Sequence, residues 1–290
     1  MTRIAVVVAS SGRPAALVNL AAHLAAQTLP PHHVVYSVTE RTDLPPESPA
    51  GTVVIGPRGS CAQRNRGLET VLDDSDVIAF FDDDYVPSRH ALAGIAAFFA
   101  ANPGHAGANG RLLADGVNSA GIAFPEAARL VAAHDAAAQI DPTPRAALQG
   151  LCGCHMAIRT RAIGELRFDE GLPLYGWQED IDFAARVARQ GGALARTDAF
   201  AGVHCGVKTA RSRGLPIGYS QVANPLYLVR KGTMDRAYSL RLIAKNLLAN
   251  HLKILAREPW VDRSGRARGN RLALRHALRG TLDPAHILHL

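Results

Sequence analysis

Three carboxylates stand in a row at Asp82, Asp83 and Asp84, directly after the apolar run 77–81. So close a set repels itself unless something neutralises it. Adjacent carboxylate oxygens suit Mg²⁺ or Mn²⁺, hard ions that also take phosphate oxygens. The apolar run reads as a central strand, although its periodicity alone would equally describe a buried helical segment. Ligands of open α/β sheets bind just beyond the carboxyl ends of the strands, which is where this cluster would emerge. Asp is also a common turn and capping residue, so the cluster fits, too, a polar turn that caps a helix starting near Ser88.

A second acidic group lies in Trp177-Gln178-Glu179-Asp180-Ile181-Asp182. Glu179 and Asp180 fall where a helix begins; there they either answer the helix dipole or supply, in Asp180, a general base held ionised at a cleft. Asp182 and Arg186, spaced i and i+4, read as a surface pair on the same helix. His204 follows a strand expected over 193–197 and precedes Lys208, Arg211 and Arg213. A lone histidine is commonly structural, yet neutral imidazole joins carboxylates around Mn²⁺. Lys208 and Arg213 are candidate contacts to a diphosphate, or part of a solvated basic face. Cys152-Gly153-Cys154-His155 with His204-Cys205 can be drawn as a zinc site, but C-x-C departs from the usual spacing and small buried thiols are common.

The elements that would position these groups alternate strand with helix, the pattern of a parallel sheet wound by helices. Strands are expected at Ile4–Ala9, His33–Val38 and Thr52–Ile55, with the last returning over 77–81. Pro14 opens a helix whose Leu17, Leu20, Ala21 and Leu24 share one face, and a second helix covers 61–72. Beyond Pro87 the pattern loosens into a helix over 88–101, irregular β structure over 107–124 and an Ala- and Pro-containing mobile excursion over 126–144. A strand at 150–158 and a helix at 180–190 follow, and from Tyr219 the chain is mostly helical.

With 290 residues, 48% of them hydrophobic, the chain can bury a full core as one large domain or two small ones. No apolar stretch approaches the roughly 20 residues that span a bilayer. The first residues lack the flanks of a secretion signal, and four irregularly spaced cysteines do not form a disulfide framework, so the expected compartment is cytoplasmic. Charge is uneven: residues 1–206 hold 16 arginines and no lysine against 21 acids, residues 207–290 hold 16 basic residues against 4 acids. The basic third points to phosphates, an acidic polymer or a membrane surface, or is a solvated face. Leu247, Leu248, Leu252 and Leu255 beside Lys245, Lys253 and Arg257 form an amphipathic stretch, suited to a peripheral membrane contact or to packing on the protein itself.

The order of the pieces resembles the inverting family-two glycosyltransferases of the GT-A fold. The likeness runs from Val7-Val8-Ala9-Ser10-Ser11-Gly12-Arg13-Pro14 through Arg64-Asn65-Arg66-Gly67 and Phe81-Asp82-Asp83-Asp84. It continues in Gly153-Cys154-His155-Met156, Phe168-Asp169-Glu170 and Gly176-Trp177-Gln178-Glu179-Asp180, covering some 200 residues. It implies a Rossmann-like, mostly parallel central sheet flanked by helices, with a helical C-terminal extension. The catalytic domain would span 1–206, a nucleotide-sugar-binding half over 1–87 and an acceptor-binding half over 88–206, followed by the basic region 207–290. The resemblance makes Asp84 and His204 the metal ligands, Asp82 and Asp83 neighbours of the nucleotide, and Asp180, paired with Glu179, the base. Ser10, Arg13, Glu40 and Arg64 would face the nucleotide base and ribose, Glu40 standing where the family usually shows Asp. The implied reaction is metal-assisted, inverting transfer of a sugar from a nucleotide-diphosphate donor, UDP before GDP or dTDP, to a saccharide or lipid-linked acceptor, with no nucleic acid involved. Two other readings stand beside it. A sugar nucleotidyltransferase would need a Gly-rich loop with a basic residue after the first strand, which is missing; a non-catalytic protein would hold anionic polymer or membrane through its basic third.

Overall fold

The computed structural model describes residues 2–137, 139–209, 214–255 and 258–290. Along the chain run β1 (Ile4–Ala9), α1 (Pro14–Ala25), β2 (His33–Val38), β3 (Thr52–Ile55), α2 (Ser60–Val71), β4 (Val77–Asp82) and β5 (Tyr85–Pro87). Then come α3 (Ala91–Ala101), β6 (His105–Asp115), α4 (Phe124–Asp135), β7 (Pro144–Ala147), β8 (His155–Arg159) and the one-turn α5 (Thr160–Ile163). The last elements are α6 (Glu179–Arg189), β9 (Ala193–His204), α7 (Gly214–Lys231), α8 (Arg236–Leu252) and α9 (Arg263–Leu278).

Among the described residues the nine strands join one sheet in the order β3-β2-β1-β4-β8-β6-β9-β5, with β7 also on β9. Neighbours β3, β2, β1 and β4 are parallel, as are β6 and β9, and only β8, β5 and β7 run against them. The expected mostly parallel α/β sheet is therefore present. Strand β1 is buried on both faces, and its side chains alternate between two cores. Ile4, Val6 and Val8 meet Leu17, Leu20 and Leu24 of α1 and Ile95 and Phe98 of α3. Ala5 and Val7 meet Leu68 of α2 on the other side, in a core shared with Phe183 and Val187 of α6. The sheet thus lies between two helical layers.

Several expectations are corrected. The aspartate cluster caps no helix: β5 follows it at once, and α3 begins only at Ala91. Residues 105–115 form one strand rather than irregular pieces, its alternation obscured by three register shifts against β9. At one of them, Gly110 lies so close to Phe200 that a Cβ would come within 2.4 Å of its ring. The excursion expected after Phe124 is mostly the helix α4, whose Ala127 and Val131 pack with Val86 and Val203. Alanine-rich sequence has little hydrophobic contrast, which hid the period. The strand expected from 150 starts at His155, because Cys152 to His155 make a turn closed by His155 N–H to Cys152 C=O at 3.5 Å.

The last three helices have a core of their own around Tyr219, Val222, Ile243 and Ala273. Within α8, Leu247 packs against it, whereas Leu248 and Leu252 are 62% and 69% exposed, so the expected leucines do not share one face. The side chains of Leu255 and Arg257 lie outside the described residues. No helix among the described residues is long and apolar enough to cross a membrane. Helices α7 and α9 cross where each offers glycine: a Cβ on Gly218 would stand 2.1 Å from Arg266 C=O, and one on Gly269 would stand 2.1 Å from Leu215 C=O. Gly218→Ala should therefore destabilise the protein by about 1–3 kcal/mol despite alanine's better helix propensity, because the backbones must part. Gly104→Ala, where a Cβ meets nothing within 4 Å, should change stability by less than about 0.5 kcal/mol. Urea unfolding of the two variants provides the comparison.

Candidate active site

Because six strands share one direction, their carboxyl ends gather at one edge of the sheet. Register fixes what meets there: Ala9 is level with Asp82, and Asp115 with His204. The reversed strand β8 brings its amino end to the same edge, with Phe81 opposite His155. The turn Cys152-Gly153-Cys154 therefore joins Ser10, Asp82, Asp83, Asp115 and His204 in the lining of one cleft. The first turns of α2 and α6 complete it with Ser60, Gln63, Arg64, Glu179 and Asp180.

The three aspartates point to different partners. Asp83 is buried and accepts hydrogen bonds from Ser10 Oγ at 2.6 Å and Arg13 Nη1 at 2.9 Å, tying the loop after β1 to the end of β4. Burial pushes its carboxyl up to about 6, with Arg13 restraining the shift. Asp84 is also buried; one oxygen accepts Val207 N–H at 2.6 Å and the other lies 3.5 Å from His204 Nε2. Burial opposes its charge, but hydrogen bonding to His204 and the charges of His204 and Arg13 outweigh that and hold it below the ordinary carboxylate range. Asp82 is partly open to the cleft and accepts from Arg64 at 2.9 Å.

Asp82, Asp84 and His204 each offer a ligand atom within 4.8 Å of the others, a set of two carboxylate oxygens and one imidazole nitrogen. Such donors fit Mn²⁺ or Mg²⁺. Asp115 adds the outer support that metal-binding histidines usually have: its Oδ1 is 2.8 Å from His204 Nδ1, which turns Nε2 toward Asp84. Burial opposes a charged ring, yet the hydrogen bonds to Asp115 and Asp84 raise His204 to about 10, so a cation binding there must displace a proton. Cys152, Cys154 and His155 form a separate cluster with ligand atoms equally close; His204 and Cys205, drawn with them in the sequence, do not belong to it.

Across the cleft the amino end of α6 presents Glu179 and Asp180. Gln178 reaches its position before the helix with φ +75°, an uncommon conformation that turns the acidic pair into the cleft. Glu179 is buried and ion-paired with Arg64, which also contacts Asp82 and Gly153 C=O. Burial raises Glu179 to about 8 even with that partner. Asp180 is half-buried, and its oxygens accept Gly153 N–H at 2.8 Å and Ile181 N–H at 2.9 Å. Burial, then the neighbouring Cys152, raise it to about 6. Gly153 has no room for a side chain, since a Cβ would sit 2.9 Å from Arg64 and 3.2 Å from Asp180.

Ser10, Arg13, Arg64, Asp82, Asp83, Glu179, Asp180 and His204 thus gather in one place, with Asp84 directly behind. Glu40 does not: it is exposed and outside the cleft lining. Three residues on, Asp43 is buried instead and accepts from Gly12 N–H, Thr39 N–H and Thr39 Oγ1, tying the loop after β2 to the loop after β1. Burial opposes its charge, but these hydrogen bonds hold its carboxyl below the ordinary range. Lys208 donates to Gly116 C=O and Val117 C=O and does not line the cleft. Arg213 lies outside the described residues. The supposed surface pair is not at the surface: Asp182 is 0% exposed and holds both Arg186, itself part-buried, and Lys231 of α7. Asp43 and Asp115, absent from the residues expected at the site, carry one shared signal, an acid just after or at the end of a strand whose carboxyl end faces the cleft. Gln63 carried none; its amide donates to Ser10 C=O and Ser37 C=O.

No protein-family model matches the chain, and no curated protein resembles it in sequence. Solved structures do. Staphylococcus aureus TarS 1-349 in complex with UDP-GlcNAc is 13% identical, with 96% of this chain and 92% of that one covered at a TM-score of 0.53. This chain spans 44% of the longer TarS structure. The mannosyltransferase PcManGT of Pyrobaculum calidifontis, in complex with GDP-Man and Mn²⁺, is 15% identical over 99% of this chain and 79% of its own, with a TM-score of 0.51. Glucosyl-3-phosphoglycerate synthase of Mycobacterium tuberculosis is 17% identical over 81% and 82%, also at 0.51. The chain has the GT-A fold of these nucleotide-sugar glycosyltransferases.

Arg64 is the one cation in direct contact with both Asp82 and Glu179 among the described residues, so Arg64→Met should cost about 3–5 kcal/mol. A carboxyl raised on folding works against stability as pH climbs from its unfolded toward its folded value. Without Arg64, Glu179 should rise further, so the variant's deficit should be larger at pH 9 than at pH 6, on either side of about 8. Denaturant unfolding at the two pH values measures it.

Proposed function

We propose that the protein is a glycosyltransferase that moves a sugar from a nucleoside diphosphate, UDP first among the candidates, to a hydroxyl of a saccharide or lipid-linked acceptor. Transfer is by inverting displacement and serves polysaccharide or glycoconjugate assembly. One observation carries this reading: Asp82 and His204, with Asp84 directly behind them, form a cation-holding set in the same cleft as a separate carboxylate, Asp180. Solved structures of like fold contain Mn²⁺ with GDP-Man, or Mn²⁺ with UDP, which supports a divalent cation beside a nucleoside diphosphate.

In this reading Ser10 and Arg13, fixed by Asp83, present the loop after β1 to the nucleotide, with Asp43 keeping the loop after β2 against it. Arg64 enters the cleft at the start of α2 and holds the two acidic groups at a set separation. Mn²⁺ or Mg²⁺ on Asp82, Asp84 and His204, when bound, would neutralise the charge that develops on the departing diphosphate. Asp180 takes the proton of the acceptor hydroxyl. The N–H groups of Gly153 and Ile181 fix its orientation, and a pKa of about 6 leaves it ionised at neutral pH while making it more basic than a free aspartate. Attack and departure on opposite faces of the sugar ring invert the anomeric centre, so no covalent enzyme nucleophile is required.

The donor half is tested by thermal shift with UDP, GDP and dTDP, each with and without Mn²⁺. One nucleotide should stabilise the wild type only with the metal, and Asp84→Asn should abolish that shift. A metal-independent shift, or one that survives in Asp84→Asn, would sink the cation assignment. For the base, Asp180→Asn should lower transfer by roughly 10²–10⁴-fold while the nucleotide shift persists. Wild-type kcat/KM should rise with pH through a step near 6 as Asp180 loses its proton, and the step should vanish in the variant.

A further inference from the structure

A second cavity, of about 370 Å³, opens beside the cleft and shares Val117, Tyr175 and Trp177 with it. Its size is that of a small-molecule site. The far wall belongs to the C-terminal helices and brings Lys245, Lys253, Arg263 and Arg266 to one surface, with no acidic residue in the lining among the described residues. The acids nearest along the chain do not cancel four cations. Glu258 is divided between Lys253 at 3.3 Å and Arg263 at 2.7 Å, and Asp262 is spent capping α9, where it accepts Gly265 N–H at 2.7 Å. The net charge of the wall is positive.

The partition between the two spaces is aromatic. Tyr175 is 54% exposed, and its carbonyl accepts from Ser60 of α2; the carbonyl of Trp177 accepts from Asn224 of α7 at 2.8 Å. The two residues are therefore fastened to both sides, three and five residues before Asp180 in the chain. Aromatic faces offer a broad apolar surface with a polar rim, which suits a sugar ring lying against them. From these observations we infer that the second cavity is the acceptor site, and that the acceptor is an anionic saccharide whose phosphate group is held by the lysines and arginines of the C-terminal helices. A phosphate at that wall and a sugar against Tyr175 and Trp177 carry the acceptor toward the side of the cleft where Asp180 stands. The inference rests on the glycosyl-transfer reading and gives it a class of acceptor. It also gives the basic last third a task inside the molecule.

The test compares a disaccharide monophosphate with the same disaccharide after phosphatase treatment. Binding is measured by calorimetry on the full chain, with UDP and Mn²⁺ present in excess, for the wild type and for Lys245→Glu/Lys253→Glu. Both substituted side chains are substantially exposed, and the melting temperature checks that the variant folds. The phosphorylated sugar should bind at least about tenfold more tightly, a difference of about 1.4 kcal/mol, and the preference should shrink with added salt and disappear in the double variant. Equal affinities, a preference that survives charge reversal, or displacement of UDP by the sugar phosphate would overturn the inference. So would sedimentation with phosphatidylglycerol vesicles that the variant loses while sugar phosphate fails to bind, since the cations would then serve a lipid surface. If UDP does not bind the wild type, the donor reading fails; repeating the comparison without nucleotide then decides the cavity separately.

Discussion

Crowding carboxylates at a sheet edge is the constraint on which this architecture turns, and the guanidinium of Arg64 answers it. The ion is buried at the start of α2 and touches Asp82 from β4, Glu179 from α6 and the carbonyl of Gly153 before β8. Three elements far apart in sequence thus meet at one charge. Burying a cation is costly unless its partners are close and its hydrogen bonds are met, so the site is stable only when all three elements are in register. Arg13 repeats the device on the other side, with Asp83 at 2.9 Å and Asp84 at 3.8 Å. The two arginines thus hold Asp82, Asp83, Asp84 and Glu179 together, while Asp180 lines the cleft with backbone N–H groups as its partners.

Sheet direction supplies the second condition. Parallel strands alone would put their carboxyl ends in the cleft. Strand β8 enters from that edge instead, so it contributes backbone rather than carboxylate: Gly153 gives its N–H to Asp180 and its carbonyl to Arg64. Its neighbour Cys152 is clamped by the side chain of Asn109, which accepts its N–H at 2.7 Å and donates to its carbonyl at 2.9 Å. This reversed strand therefore fixes Asp180, and the missing side chain at residue 153 is what permits the approach.

Much of this was legible in the sequence because it is local. The five-residue apolar run before Asp82, the proline opening α1 and the acids opening α6 each announce themselves within one turn or one strand. The α/β class and the place of the aspartate cluster follow from such signals together with the rule for strand ends, whereas the gathering of Asp82, Asp84, Asp180 and His204 was implied by the resemblance to the GT-A glycosyltransferases. What escaped is non-local or lacks contrast. The length of β6 is masked by bulges, and α4 is written in alanine. Asp115 matters only because β9 places His204 beside it, and Asp43 only because the loop after β1 folds over it. Asp182 and Arg186 have the spacing of a surface pair, and nothing within the helix says that Lys231 will lie over them.

That covering contact shows how the C-terminal helices belong to the site. Lys231, near the end of α7, reaches both Asp182 on α6 and Asp169 in the loop before it, while Tyr227 Oη donates to Asp169 at 2.8 Å. Burial opposes the charge of Asp169, yet Lys231 and Tyr227 hold it below the ordinary carboxylate range, so the attachment is ionic at neutral pH. One turn earlier on α7, Asn224 fastens the carbonyl of Trp177. The helix that carries Asp180 and the segment that leads into it are thus both gripped by α7.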